Sequence, residues 1–286
     1  RHAHLILPPT AALEHDHYDL VFHTLAVRNT AKYSPALFAP PPGSRPEWEI
    51  LVGLADRLAA ARGDRRLLFR LARTAVRKLG PRGVLALLLR TGPEGKGLRP
   101  FGRGLTLSRL EREVHGVDLG PLRPCLHARL ATPHRRIALA PPPLLADLAR
   151  LHGTPSADGL QLIGRREVRS NNSWMHNSPR LVKGRDRCTL LMNPGDAGAR
   201  GLADGQRVRV RSRVGEVDVA LEVSAAMAPG VVSLPHGWGH GQPGTRLTVA
   251  NAHAGASLND LTDPLAVDAL SGVAAFSGVR VDVTPA

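Results

Sequence analysis

Aromatic residues make up only 3% of the sequence, cysteine occurs twice, and apolar runs are short. The most apolar stretch, Val84 to Leu89, is six residues long and lies between Arg82 and Arg90. Nothing of that length spans a bilayer. Cys125 and Cys188 stand far apart with no CxxC. That excludes a thiolate zinc site, a self-contained iron–sulfur cluster and a disulfide framework. A P-loop and a GxSxG elbow are missing too, as is a carboxylate pair in apolar surroundings that would do acid–base work. No catalytic residue and no metal-ligand set can be assigned.

What the chain does have is basic charge, glycine and proline. Its 286 residues carry a formal net charge of +14, with 29 Gly and 24 Pro, and 43% are hydrophobic. That suffices for one or two buried cores and argues against a long coiled coil. The start, Arg1-His2-Ala3-His4, shows no secretory signal. Leu5 to Leu7 before Pro8-Pro9 reads as a strand end with nothing leading into it, so the sequence is expected to open inside a domain.

Three sections follow. Residues 1–62 hold that strand, a His/Asp-rich loop from Glu14 to Asp19, a proline-rich connector and a helix. Glu47 and Glu49 stand in the helix's first turn, and Ile50, Leu51, Leu54 and Leu58 recur at helical spacing up to Gly63. Residues 63–158 set Arg65, Arg66, Arg70, Arg73, Arg77, Lys78, Arg82 and Arg90 on a Leu/Ala-rich helical pattern, then turn loop-rich from Gly92 on. We expect a helical and Pro/Gly-rich linking region whose arginines face solvent or a partner. Residues 159–286 change to period two. Arg207 to Val214 alternates, Gly215 turns the chain, and Glu216 to Val223 alternates again. With strands at Leu160 to Ile163, Val231 to Leu234 and Val279 to Val283, this section predicts a small closed β-barrel.

Two loops carry the chemistry. After Ile163 the run Gly164-Arg165-Arg166-Glu167-Val168-Arg169-Ser170-Asn171-Asn172-Ser173-Trp174-Met175-His176-Asn177 gathers arginines, amides, a tryptophan and a histidine. That set suits phosphate oxygens, the edges of a pterin or purine, and stacking, though an ordinary polar loop would also hold it. In Pro235-His236-Gly237-Trp238-Gly239-His240-Gly241 the glycines forbid the helix on which two histidines could share zinc. They allow close backbone approach to a ligand instead, or simply a turn around a packed Trp. Asn259 and Asp260 open a further polar cluster. Glu14, His15, Asp16 and His17 lack a third spaced ligand and read as a solvated loop.

The order LIGRREVRSNNSWMHN, then CTLLMNPGDAGARGLADGQRVRVRSRVGEVDVALEV, APGVVSLPHGWGH and LNDLTD, closely resembles the C-terminal dinucleotide-binding domain of the molybdopterin oxidoreductases, the dimethyl sulfoxide reductase and formate dehydrogenase group. HLILPPTAALEHDHYDL followed by PEWEILVGLADRLA is similar to the end of that family's central α/β region. The resemblance is specific over 1–62 and 159–286 and weak between them.

The resemblance implies a mixed α/β and β fold: the tail of an α/β domain, a helical and loop linker, and a C-terminal double-psi β-barrel. It implies a bis(molybdopterin guanine dinucleotide) cofactor with molybdenum, contacted by Gly164, Arg165, Asn172, Ser173, Trp174, His176 and Asn177, with Trp238, His240, Asn259 and Asp260 as further candidates. The family's molybdenum ligand and its 4Fe-4S cysteines lie upstream of a segment like residues 1–20. The chain is therefore expected to be inactive alone, with the upstream part of the same enzyme and an electron-transfer subunit as partners, and cytoplasmic unless that upstream part carries an export signal. Two rival readings are a non-catalytic cofactor-binding or assembly subunit and, on charge alone, a nucleic-acid-binding protein.

Overall fold

An extended segment becomes a strand only where a partner supplies hydrogen bonds, and the first part of the chain offers few. The computed structural model describes residues 3–19, 25–63, 67–97, 104–152 and 159–286. The chain divides into two units, His2–Arg136 and Ile137–Ala286.

In the first unit β1 (His17–Tyr18) pairs with β3 (Tyr33–Ser34), and β2 (Arg28–Ala31) with β4 (Val117–Pro121), both antiparallel. The expected strand at Leu5 to Leu7 does not form. Its nearest ladder contact is one bridge from Pro9 to Arg45, and Leu5 and Ile6 are exposed. Helix α1 (Glu47–Ala61) follows Pro46 with Glu47 and Glu49 in its first turn, as the sequence predicts. Helix α2 (Leu67–Thr91) kinks at Gly80, just before Pro81. Helix α3 (Leu107–Arg112) is capped by Thr106, whose hydroxyl accepts from the Arg109 N–H. A short α4 (Leu126–Arg129) follows. The core is small: Ala31, Tyr33, Leu89, Leu105, Leu107, Leu110 and Val117.

The arginines of α2 are not simply a solvated face. Arg73 pairs with Asp56 of α1 at 2.8 Å, Arg77 also reaches Asp56, Arg82 pairs with Glu111, and Arg90 donates to the Gly97 carbonyl. Arg65, Arg66 and residues 98–103 of the glycine-rich stretch lie outside the described residues. The boundary expected after residue 62 falls between α1 and α2, which share this unit. In the loop from Glu14 to Asp19, the Asp16 carboxylate accepts from the Tyr33 hydroxyl and the Ala36 N–H, with Arg82 beside it.

In the second unit α5 (Pro142–His152) is tied by Arg150 to Asp268. Six strands then close into a barrel: β5 (Leu160–Arg165), β6 (Thr189–Met192), β7 (Arg207–Arg211), β8 (Glu216–Val223), β9 (Val231–Pro235) and β10 (Val279–Pro285), in the order β10-β5-β9-β6-β8-β7. The pairs β5–β9 and β6–β8 are parallel, while the remaining four, including the closing β7–β10 pair, are antiparallel. Period two sends alternate residues inward. Leu160 and Leu162, Leu190 and Met192, Val208 and Val210, Val219 and Leu221, Val232 and Leu234, and Val281 and Val283 fill the interior. On the outside of the hairpin turned at Gly215, Arg209 faces Asp218 and Arg211 faces Glu216 in register, each within 2.8 Å. Short helices α6 (Pro179–Val182), α7 (Pro194–Gly198) and α8 (Thr248–Ala252) lie in the connections.

Candidate functional site

Parallel neighbours leave a sheet at the same edge, and this places the two informative loops together. β5 and β9 pair with Gly164 opposite Leu234 and Arg165 opposite Pro235, and the His236 N–H donates to the Arg165 carbonyl at 2.9 Å. The loop after β5 then folds back on itself. The Ser170 N–H donates to Glu167 O and the Met175 N–H to Ser170 O, and a 3-10 turn closes over Trp174–Asn177. Asn171 and Asn172 take positive φ values of 40° and 61°, which asparagine tolerates better than most side chains.

Two glycines let the second loop fit between its neighbours. Gly237 has φ 94°, and a Cβ there would lie 2.1 Å from the Asn172 carbonyl oxygen. Gly239 has φ 102°, and its Cβ would lie 2.5 Å from Ser257 Cβ. The Gly239 and His240 N–H groups both donate to the Ala254 carbonyl at 2.9 Å. Three segments thus converge on a cleft of about 330 Å³. Asn172 and Ser173 come from the first, His236, Trp238 and His240 from the second, Ser257 and Asn259 from the third.

Behind the cleft wall lies a polar chain. His176 is 1% exposed, its Nε2 2.7 Å from Ser170 Oγ and its Nδ1 2.8 Å from His240 Nε2. Trp238 stacks on the His176 ring, centroids 4.0 Å apart. Burial lowers the pKa of both histidines from the ordinary value. On His176 the neighbouring His240 adds to the effect and the Gly237 backbone opposes it. Next to Trp238, burial pushes the Cys188 thiol up to about 11, and its Sγ accepts from the Ala256 N–H at 3.1 Å.

The structure brings together Asn172, Ser173, Trp238, His240 and Asn259, and sets the other candidates elsewhere. Arg165, read as a phosphate partner, spends its guanidinium on the Ser233, Arg187 and Thr189 carbonyls, the Thr189 hydroxyl and Glu167. Gly164 is a strand residue against Leu258. His176 sits behind His240 rather than at the surface. Trp174 points outward, 80% exposed. The Asn177 Oδ1 accepts from the Val249 and Ala250 N–H groups at the start of α8. Asp260 ends the turn Leu258–Asp260, outside the lining of the cleft. Four lining residues were not among the candidates: His236, Gly237, Ser257 and Leu258. His236, which reaches the Asn172 side chain at 3.2 Å, stands in the glycine-rich motif, whereas Ser257 carries no sequence signal.

Residues 160–280 match the molydopterin dinucleotide binding domain. Over 127 residues the chain is 30% identical to the molybdopterin-containing subunit of the arsenate respiratory reductase of Chrysiogenes arsenatis, a match covering 41% of this chain and 15% of that protein. Its fold is similar to that of acetylene hydratase from Pelobacter acetylenicus, with a TM-score of 0.59 at 16% identity over 98% of this chain and 38% of the other. The chain thus spans less than half the length of either protein. Its barrel, with both loops of the cleft, lies within the stretch that matches the molydopterin dinucleotide binding domain, and so resembles the dinucleotide-binding domain of molybdopterin oxidoreductases.

Proposed function

We propose that the cleft at the β5–β9 edge holds part of a bis(molybdopterin guanine dinucleotide), and that the chain is the C-terminal part of an oxidoreductase working at molybdenum. One observation carries the assignment: the lining residues of the cleft fit such a ligand. The amides of Asn172 and Asn259 and the hydroxyls of Ser173 and Ser257 offer both donors and acceptors to the edge of a pterin or guanine. Among the described residues Trp238 Nε1 is buried without a hydrogen-bond partner, a donor with an unmet demand at the same wall. When bound, the cofactor's molybdenum supplies two-electron redox chemistry in the complete enzyme. The residues of this chain bind and orient it and exclude water.

On this reading residues 1–62 are the tail of a central α/β domain and 63–158 a linking region. The molybdenum ligand and a 4Fe-4S cluster belong to an upstream part of the same enzyme, without which the chain is inactive. An electron-transfer subunit is the natural partner and the cytoplasm the natural compartment. Nucleic acid is not a partner on this reading, and Arg73, Arg82, Arg28 and Arg213 are paired with Asp56, Glu111, Asp118 and Asp263.

The test compares Asn172→Ala and Asn259→Ala with Arg70→Ala, on the exposed side of α2, in the full-length enzyme. Molybdenum and pterin contents are measured after purification. Loss of one buried contact costs about 1.5 kcal/mol, or roughly tenfold in cofactor affinity. Equal contents in all three variants would remove the assignment.

A further inference from the structure

A neutral imidazole donates through one ring nitrogen and accepts through the other, so a histidine with partners on both is a relay. His176 is one, with Ser170 Oγ on Nε2 and His240 Nε2 on Nδ1. If the Ser170 oxygen accepts, His176 Nδ1 must accept as well. His240 then donates through Nε2 and keeps a bare Nδ1. If the Ser170 hydroxyl donates, every sense reverses and His240 carries its hydrogen on Nδ1. One added proton removes the choice. Held by either ring, it leaves both short contacts intact, with His176 donating to Ser170 through Nε2 and His240 fixed with N–H at Nδ1. A second proton would set two N–H groups head to head across 2.8 Å, so it cannot enter without breaking the pair.

We infer that the His176–His240 pair is a one-proton store that sets the hydrogen-bonding sense of the cleft wall, so that holding a ligand with carbonyl or anionic oxygens is coupled to uptake of that proton. The identity of the ligand rests on the function proposed above, but the store does not. Few other groups act on the two rings. His236 is turned to the Asn172 side chain, and burial keeps Cys188 as a thiol. Trp238 stacks on His176, so opening the pair must also disturb that stack.

The experiment titrates the 286-residue chain, labelled at histidine and tryptophan, by NMR across the histidine range, with guanosine diphosphate as the ligand probe. We expect His176 and His240 to move together in one step worth one proton. The second proton should enter only as the Trp238 resonance changes. Ser170→Ala removes the acceptor at Nε2 and should lower the midpoint of the shared step by about one pH unit. His240→Gln, which retains a side-chain acceptor and donor, should leave His176 titrating alone. Affinity for guanosine diphosphate should rise as pH falls through the step in the native chain and stay flat in His240→Gln. Two independent one-proton titrations with Trp238 unmoved would overturn the store. A shared step with no guanosine diphosphate binding at any pH would overturn the coupling and the dinucleotide reading of the cleft, leaving the store standing.

Discussion

The Arg165 guanidinium donates to the Ser233 carbonyl at 2.9 Å, joining β5 to β9 at the edge where the two parallel strands end. Its other nitrogen reaches the Arg187 and Thr189 carbonyls, so one side chain ties β5 to both β9 and the approach to β6. Arg165→Ala should therefore destabilise the barrel by about 1.5 to 3 kcal/mol, the range for a charged group's hydrogen bonds. Arg165→Lys should recover only part, since an ammonium cannot span the same fork of acceptors. Urea denaturation of the chain decides it: an unchanged midpoint in Arg165→Ala would return the residue to the role of a free phosphate partner.

Stability should also depend on pH through His176 and His240. Both have pKa values below the ordinary histidine value in the folded chain, so the unfolded chain takes up protons first. Stability is then full above the ordinary histidine value and falls as pH drops below it, until the folded pair itself titrates. Denaturation midpoints should decline between neutral and mildly acidic pH, and less steeply in His240→Gln. A midpoint that rises on mild acidification would contradict burial as the cause of both shifts.

Period two was legible wherever it was long. The alternation on both sides of Gly215 marks β7 and β8, whereas β6, Thr189–Met192, is four residues of which only Thr189 is polar, too few to show a period. The site was legible as composition and not as arrangement. The motif around Trp238 and the loop after Ile163 stand out in sequence, but nothing local says that β5 and β9 run parallel side by side. That relation turns His176 inward and brings His240 to the cleft. Asn177 shows the same limit: an amide in a polar run looks like a ligand contact, and the fold uses it to cap α8.

Core substitutions should separate the barrel from its surface. Leu162 is fully buried on β5, and Leu162→Ala should cost about 2 to 5 kcal/mol through lost burial and the cavity left behind. Val168, 97% exposed six positions on, should change stability by less than about 0.5 kcal/mol when replaced by alanine. Comparable losses at the two positions would mean that the inward register of β5 is wrong.

Gly237→Ala should spoil the cleft while sparing the barrel. Its φ of 94° alone costs an L-residue about 1 to 2 kcal/mol, and the new methyl would sit 2.1 Å from the Asn172 carbonyl oxygen. Backbone faces it there, so no flexible side chain can swing aside. The chain from His236 to His240 must move away from Asn172, and the Trp238 ring must leave its stack on His176 with it. The strands below are held by their own ladders and by a core that Trp238 only partly covers from outside, so global unfolding should shift by only a few kcal/mol. Hydrogen exchange should speed up at the amides of Gly239 and His240, which donate to Ala254, while those of β7 and β8 keep their protection. Near-ultraviolet circular dichroism should register the altered Trp238 environment. Protection unchanged in both regions would show that the close approach of Gly237 to Asn172 does not hold the two loops together.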